Sequence, residues 1–288
     1  MAAGAQDHTE ALAGLRARVI TAARQARPPG QSVPEIAGDS PAEAFARAAH
    51  ALDLLLGSLD PGDWRQPVIR DLDVQGLVGH LIGVEEDLQR SLSGEAAPGT
   101  ADHVRSTQPM AQRQAGRPPK QTRLEWRRAT DRTLAQISDR GEIDAPVALH
   151  GVQLPLDDIL IARAFELWTH ENDIRSAVGR PLSAPAPAAL RPMASLAVRL
   201  LPFAALMTDV RDPVRLHLVL TGPGGGTWDI GIGVSPPEPV SIGVVTDVVS
   251  FCRLVANRLQ PDDLESYVSG DAVLARSVLA AATSLALD

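Results

Sequence analysis

The chain has 288 residues, of which 44% are hydrophobic and 22% are charged, and its net charge is −8 with a pI of about 5.4. This composition is typical of a soluble globular protein, and the acidic balance argues against a surface for duplex nucleic acid. The sequence contains no uninterrupted apolar run of about eighteen residues that would predict a membrane span, and the single cysteine, Cys252, excludes an internal disulfide.

Residues 1–38 are expected to form an extension outside the core. Apolar residues at helical spacing predict a short amphipathic helix over 8–27, and a stretch rich in Pro, Gly and Ser predicts a linker after it. The N-terminus has no basic region followed by an apolar core, so we expect no secretory signal and a cytoplasmic protein.

Residues 39–182 are predicted to form a helical domain with four long helices. Their approximate bounds are 41–59, 74–93, 120–139 and 155–179. Ser40 begins the first helix with a capping box that Glu43 completes, and Asp73 caps the second. Residues 94–118 show little apolar periodicity and are rich in Gly, Pro and Gln, so we expect a long surface loop.

Glu166 and His170 are the strongest candidate site residues in the sequence. Their spacing of four places a carboxylate and an imidazole on one face of the fourth helix, and two such groups can hold one divalent cation. His80, flanked by Gly79 and Gly83 on the second helix, is the candidate third ligand. Spacing alone leaves two other interpretations open: an ordinary surface pair for Glu166 and His170, and a core histidine for His80.

Residues 183–288 are predicted to form an α+β domain with a small antiparallel sheet. The expected helices span about 188–207, 246–258 and 270–286, and the expected strands span 214–220, 227–234 and 240–245, with a further short strand at 264–268. The glycine-rich segment 222–226 links two strands and lacks the Lys-Ser/Thr of a phosphate-binding loop, so we interpret it as a hairpin turn.

The chain resembles the mycothiol-dependent maleylpyruvate isomerase family of actinobacteria, whose N-terminal domain is related to DinB-like bundles. The matching segments are residues 64–67 (WRQP), 73–81 (DVQGLVGHL), 166–175 (ELWTHENDIR), 178–181 (VGRP), 247–258 and 270–271. The resemblance covers about residues 40–285. It implies a DinB-like four-helix bundle followed by the small α+β domain. The loop before the second helix differs from the family, because Asp71 and Leu72 stand where Gly-Trp is usual.

The resemblance also implies a site and an activity. In the family the residues that match His80, Glu166 and His170 bind a zinc ion, and a basic residue of the C-terminal domain, matched by Arg258, completes the site. Zn²⁺ and mycothiol would then be the cofactor and the thiol cosubstrate. The expected activity is that of an isomerase or thiol S-transferase acting on a small, carboxylate-bearing unsaturated substrate.

Two other functions remain open from the sequence. One is a metal-dependent hydrolase or lyase in which a metal-bound water reacts. The other is a non-catalytic protein that binds a small molecule and retains the fold. For each we expect a small-molecule partner, no nucleic acid or membrane partner, and a monomer or homodimer.

Overall fold

The structure is a computed structural model, and it describes residues 37–95, 103–140, 146–149, 152–208, 210 and 212–286. The predicted helix at 8–27 and the part of its linker up to residue 36 lie outside these residues. The elements in chain order are α1 (Pro41–Gly57), β1 (Pro67–Ile69), β2 (Leu72–Asp73), α2 (Val74–Leu92), α3 (His103–Gln114), α4 (Pro119–Arg140), β3 (Val147–Leu149), β4 (Val152–Leu154), α5 (Leu156–Ala177), α6 (Pro187–Met207), β5 (Val214–Thr221), β6 (Gly226–Ile232), β7 (Ile242–Asp247), α7 (Val248–Val255), β8 (Ser266–Gly270) and α8 (Ala272–Ala282).

The starts of α1 and α2 are fixed by the predicted capping residues. The Ser40 hydroxyl accepts a hydrogen bond from the Glu43 backbone N–H, and the Glu43 carboxylate accepts one from the Ser40 N–H at 2.9 Å. The Asp73 carboxylate accepts a hydrogen bond from the Gly76 N–H at 2.7 Å. These bonds satisfy donors that a helix N-terminus otherwise leaves unpaired, and both predicted starts are confirmed.

Residues 103–114 correct one expectation. They lie in the segment predicted as a surface loop but form α3, so the described part of residues 39–182 contains five α-helices where four were predicted. A Cβ atom at Gly79 would lie 2.8 Å from the Ala111 Cα, and one at Gly83 would lie 3.0 Å from the Thr107 side chain. The two glycines of α2 therefore allow α3 to pack closely, a tertiary contact that local periodicity does not reveal.

Helix α5 is buried on two sides, and it therefore positions the candidate site within the core. Leu160, Leu167 and Ile174 pack into the apolar cluster shared with α1 and α2. Ala164 and Trp168 pack into a second cluster, which includes α6, the sheet and the last two helices. Residues Ile36–Asp288 form one compact unit, and the predicted division after residue 182 stays a prediction.

The C-terminal sheet has four strands in the order β6-β5-β7-β8. The predicted antiparallel pairing is present in β5–β6 and β7–β8, whereas the central β5–β7 pair is parallel, with Leu216 opposite Ile242. The pair is parallel because the chain leaves β6 and crosses to the far side of β5 before it forms β7. The segment 222–226 forms the tight connection between β5 and β6, as expected for a hairpin.

Helix α6 is long and apolar enough to cross a membrane by length and composition alone. Half of its most apolar 18-residue stretch is buried inside the protein. The buried residues of the helix belong to the cluster that includes the sheet. A core helix has these same properties, so the helix gives only weak support for a membrane span.

Candidate metal centre

Helices α2 and α5 bring His80, Glu166 and His170 together, as the sequence predicts. One ligand atom from each residue lies within 4.8 Å of the others. The His80 Nε2 is 3.4 Å from the Glu166 Oε1, and the two imidazole rings are edge to face with centroids 5.7 Å apart. Both histidines are buried, with 4% and 1% of their surface exposed. The chain thus encloses two imidazoles and a carboxylate in one small volume.

The Nδ1 atom of each histidine ring, on the side away from the candidate metal position, contacts an oxygen atom that orients the ring. The His170 Nδ1 is 3.0 Å from the Asp173 Oδ2, and the His80 Nδ1 is 2.7 Å from the Thr107 Oγ1. A carboxylate can only accept a hydrogen bond, so the Nδ1 of His170 carries the proton and the lone pair lies on Nε2. A carboxylate partner of this kind is typical of metal-binding histidines.

The protonation states also suit a cation. Burial lowers the pKa of His80 despite the neighbouring Glu166 carboxylate, so the ring is neutral at neutral pH and able to act as a ligand. Burial by itself would raise the pKa of Glu166, but the charge of Arg163 and the contact with His80 hold it well below its ordinary value. Glu166 is therefore an anion next to a neutral imidazole.

Arg163 fixes which oxygen of Glu166 faces the site. Its Nη1 donates to the Glu166 Oε2, and its Nη2 donates to the Glu85 Oε1 at 2.7 Å. Both Arg163 and Glu85 are fully buried, and Thr133 donates to the second Glu85 oxygen at 2.7 Å. Because Oε2 is held by Arg163, only Oε1 of Glu166 faces His80.

Asp173 connects the site to the C-terminal elements through Arg258. The Arg258 Nε and Nη2 donate to the two oxygens of Asp173 at 2.7 and 2.9 Å, and its Nη1 donates to the Ala256 carbonyl at 3.0 Å. Burial alone would raise the pKa of Asp173, but these bonds and the one from His170 lower it. The predicted role of Arg258 toward a substrate stays a prediction. In the structure, Arg258 contacts Asp173, and Asp173 in turn contacts His170.

Four residues that support the ligands were not predicted from the sequence, namely Thr107, Glu85, Arg163 and Asp173. Arg163 and Asp173 each stand three positions from a ligand on the same helix, a spacing that brings side chains into contact, so the sequence did carry a signal for both. Glu85 and Thr107 reach the site only through the packing of α2 against α5 and α3, which spacing along the chain does not encode.

The three residues fit a divalent cation. A tetrahedral zinc site with bonds of about 2.1 Å places its ligand atoms about 3.4 Å apart. His80 Nε2 and Glu166 Oε1 have this separation, and a ligand atom of His170 lies within 4.8 Å of both residues. Two imidazoles and one carboxylate are a ligand set of catalytic zinc sites, in which a further coordination position stays open. The donor set favours zinc over calcium or magnesium, which prefer oxygen ligands.

An apolar cleft of about 100 Å³ lies against the site, and Glu166, Thr169 and His170 form part of its wall.

Cys252 is completely buried elsewhere, and burial raises the pKa of its thiol. The thiol is therefore protonated at neutral pH and is not a nucleophile of this site.

Comparison with known proteins finds a family match for the helical region. Residues 45–175, which include all three candidate ligands, match the family described as mycothiol maleylpyruvate isomerase N-terminal domain. The fold is similar to that of a crystal structure of the mycothiol-dependent maleylpyruvate isomerase, with a TM-score of 0.56 and 16% identity over 78% of this chain and 91% of that one. A histidine-to-alanine mutant of the same enzyme gives a TM-score of 0.52 and 15% identity over the same shares.

A comparison with curated protein sequences finds no significant match. At 15–16% identity the two structural matches show a shared fold and not a shared reaction. The family assignment was expected from the segments around His80 and Glu166, and the domain match confirms it. Residues 45–175 are therefore a domain of the mycothiol maleylpyruvate isomerase N-terminal family.

Proposed function

We propose that the protein is a zinc-dependent enzyme that uses a low-molecular-weight thiol, mycothiol, as its nucleophile. It would act as an isomerase or a thiol S-transferase on a small unsaturated substrate. The observation that carries this proposal is the buried His80, Glu166 and His170 set with an apolar cleft on one side. Three protein ligands leave a coordination position for an incoming group.

The chain's own residues would hold and tune the centre. A divalent cation, when bound, supplies positive charge that favours the thiolate form of a coordinated thiol at neutral pH. Asp173 keeps the His170 lone pair on Nε2, and Arg163 restricts Glu166 to one oxygen. A substrate bound against the apolar wall of the cleft would displace water from that side of the reacting groups.

The reaction follows from thiolate chemistry. The sulfur forms a bond to one carbon of an activated double bond, and the electron pair moves onto the activating group. Rotation about the resulting single bond and expulsion of the thiolate complete an isomerisation. If the adduct instead takes up a proton and leaves, the reaction is an S-transfer. Arg258, the basic residue that the family resemblance implies, would pair with a carboxylate on the substrate.

The remaining sequence-based expectations are part of the same proposal. We infer that the helical region is a DinB-like bundle whose four long helices are α1, α2, α4 and α5, with α3 added. The protein would be a cytoplasmic actinobacterial enzyme, active as a monomer or homodimer.

Two other functions remain distinct from this proposal. In the first, water replaces the thiol at the open position, and the enzyme is a metal-dependent hydrolase or lyase. In the second, the protein binds a small molecule without catalysis, and the cation is structural. These functions differ from the proposed one in whether a thiol reaches the cation.

The test is a titration of the Co²⁺-loaded protein with mycothiol, followed by visible and near-ultraviolet absorption. A thiolate bound to Co²⁺ produces a sulfur-to-metal charge-transfer band, so the experiment needs no knowledge of the substrate. We expect the band to appear and saturate in the wild type and in His50→Ala, whose histidine is exposed on α1. It should be absent in His170→Ala.

A wild-type protein that binds Co²⁺ but shows no band with mycothiol would contradict the thiol-dependent function. A glutathione titration run in parallel tests the choice of thiol. If glutathione gives the band at lower concentration than mycothiol, the enzyme is thiol-dependent but mycothiol is not its cosubstrate.

A further inference from the structure

The apolar cleft beside the metal centre gives information about the substrate. It is formed by α5, α6, the end of α7 and the turn after α8. Most of its lining side chains are aliphatic or aromatic, and six of them define its shape: Ala162, Phe165, Leu196, Leu200, Val255 and Leu285. Glu166 and His170 lie on the same wall, so a group bound in the cleft contacts the centre directly.

The cleft offers no partner for an anion. Among the residues that the structure describes, no arginine or lysine lines it, and its one carboxylate, Glu166, is itself negative. An anion placed there would lose its hydration without gaining a cationic side chain, and Glu166 would repel it; only a cation held at the metal centre itself would attract it. A carboxylate is therefore disfavoured in the part of the cleft away from the centre.

The neighbouring arginines are engaged elsewhere. Arg163 donates to Glu85 and Glu166. Arg258 donates to both oxygens of Asp173 and faces a second cleft of about 160 Å³, which Arg253, Asn172 and Ser176 also line. Thr169 and Ala256 line both clefts, so the two meet at that point. Among the described residues, the cationic side chains available to a charged group lie on the second side.

The size of the cleft limits the bound group. An apolar cavity of about 150 Å³ is sufficient to hold benzene, and this cleft has about 100 Å³ and opens to solvent. A short branched chain or a single ring at its mouth is the largest group that it accommodates without side-chain movement.

We infer that the substrate of this centre places an uncharged, apolar group, about as large as one ring, in the cleft. The family resemblance implies a carboxylate-bearing substrate instead. The inference rests on the proposed function for the statement that a substrate reacts here.

The test compares two ligands with the same ring: para-fluorobenzyl alcohol, which is uncharged, and para-fluorobenzoate. Fluorine NMR line broadening measures the binding of each to the metal-free protein, because a carboxylate could otherwise coordinate the cation without entering the apolar part of the cleft. We expect the alcohol to bind at least about tenfold more tightly than the benzoate, because only the benzoate brings a charge into the apolar cleft.

Three variants assign the binding to the cleft. Leu200→Asp adds a charge to its wall, and Ala162→Phe fills it without a charge; both positions are only partly buried, so folding should survive. Each should weaken alcohol binding at least about tenfold. Leu54→Asp is the matched control, because Leu54 is 60% exposed and lines a separate apolar cleft on α1, and it should leave binding unchanged.

Two results would overturn the inference: benzoate binding as tight as that of the alcohol, or alcohol binding that is insensitive to both cleft variants. Neither result depends on a thiol. Failure of the Co²⁺–mycothiol titration with intact alcohol binding would remove the proposed function and leave the apolar cleft as a ligand site. The opposite pattern would leave the function and remove this substrate class.

Discussion

Arg163 is the residue whose charge most directly supports the centre. It is 1% exposed and lies between the Glu85 and Glu166 carboxylates. A buried ion pair of this kind adds little stability compared with an apolar core, but removing one partner leaves uncompensated buried charge. Here the removal would leave two carboxylates facing one cavity, so both the fold and the geometry of Glu166 depend on Arg163.

We therefore expect Arg163→Met to lower the free energy of unfolding by about 3–5 kcal/mol in metal-free protein. Urea unfolding followed by circular dichroism measures the change. Arg199→Met is the matched control, since Arg199 is exposed and pairs with Asp158 on the surface, and it should cost less than about 1 kcal/mol. Equal losses in the two variants would show that the buried network is not important for stability.

Cys252 provides a second residue-scale prediction. Because burial raises the pKa of its thiol and shields it from solvent, Ellman's reagent should not react with the native protein at mildly alkaline pH. The same reagent should titrate one thiol per chain after unfolding in urea, since Cys252 is the single cysteine. Rapid reaction in the native state would contradict the buried position of α7.

At the scale of elements, the close packing of α2 and α3 positions His80. Gly79 and Gly83 on α2 leave space for α3, and α3 supplies the Thr107 hydroxyl that contacts the His80 Nδ1. Gly79 and Gly83 thus allow α3 to pack against α2, and α3 in turn orients the His80 ring.

Gly79→Val should destabilise the protein by about 1–3 kcal/mol through overpacking, because a Cβ there would lie 2.8 Å from the Ala111 backbone. Gly62→Val is the control: Gly62 has a backbone φ of −71°, and a Cβ atom at this position would meet no atom within 4 Å, so we expect little change. Thermal unfolding of both variants tests this, and a Gly79→Val protein as stable as the control would contradict the packing of α3.

The helices illustrate what the sequence predicts and what it does not. Ser40 and Asp73 predicted two helix starts because capping is local, and the spacing of Glu166 and His170 predicted their shared face for the same reason. Helix α3 was missed because its stability depends on α2. The parallel β5–β7 pair was missed because strand order depends on the path of a connection and not on the strands themselves.

At the scale of the whole molecule, Asp173 and Arg258 join α5 to the segment after α7. The same carboxylate contacts His170 and receives two hydrogen bonds from Arg258. The C-terminal elements therefore line the cleft and also contact Asp173, the hydrogen-bond partner of the candidate ligand His170. Contacts of this kind behind a ligand commonly affect metal affinity by about 10–100-fold.

Arg258→Met should accordingly weaken Zn²⁺ binding by about tenfold, because Asp173 loses both donors that hold it against His170. Competition with a chromophoric chelator measures the dissociation constant. Arg276→Met is the control, since Arg276 pairs with Asp262 on the surface, and it should bind Zn²⁺ like the wild type. Unchanged affinity in Arg258→Met would mean that Arg258 does not position the centre through Asp173.

The central claim is that His80, Glu166 and His170 hold a divalent cation, and elemental mass spectrometry of the purified protein tests it most directly. We expect about one zinc per chain in the wild type and in His50→Ala. His170→Ala should keep its circular dichroism spectrum and lose the metal. A wild-type protein that contains no metal, even after Zn²⁺ is supplied, would contradict the claim and leave a binding protein with this fold.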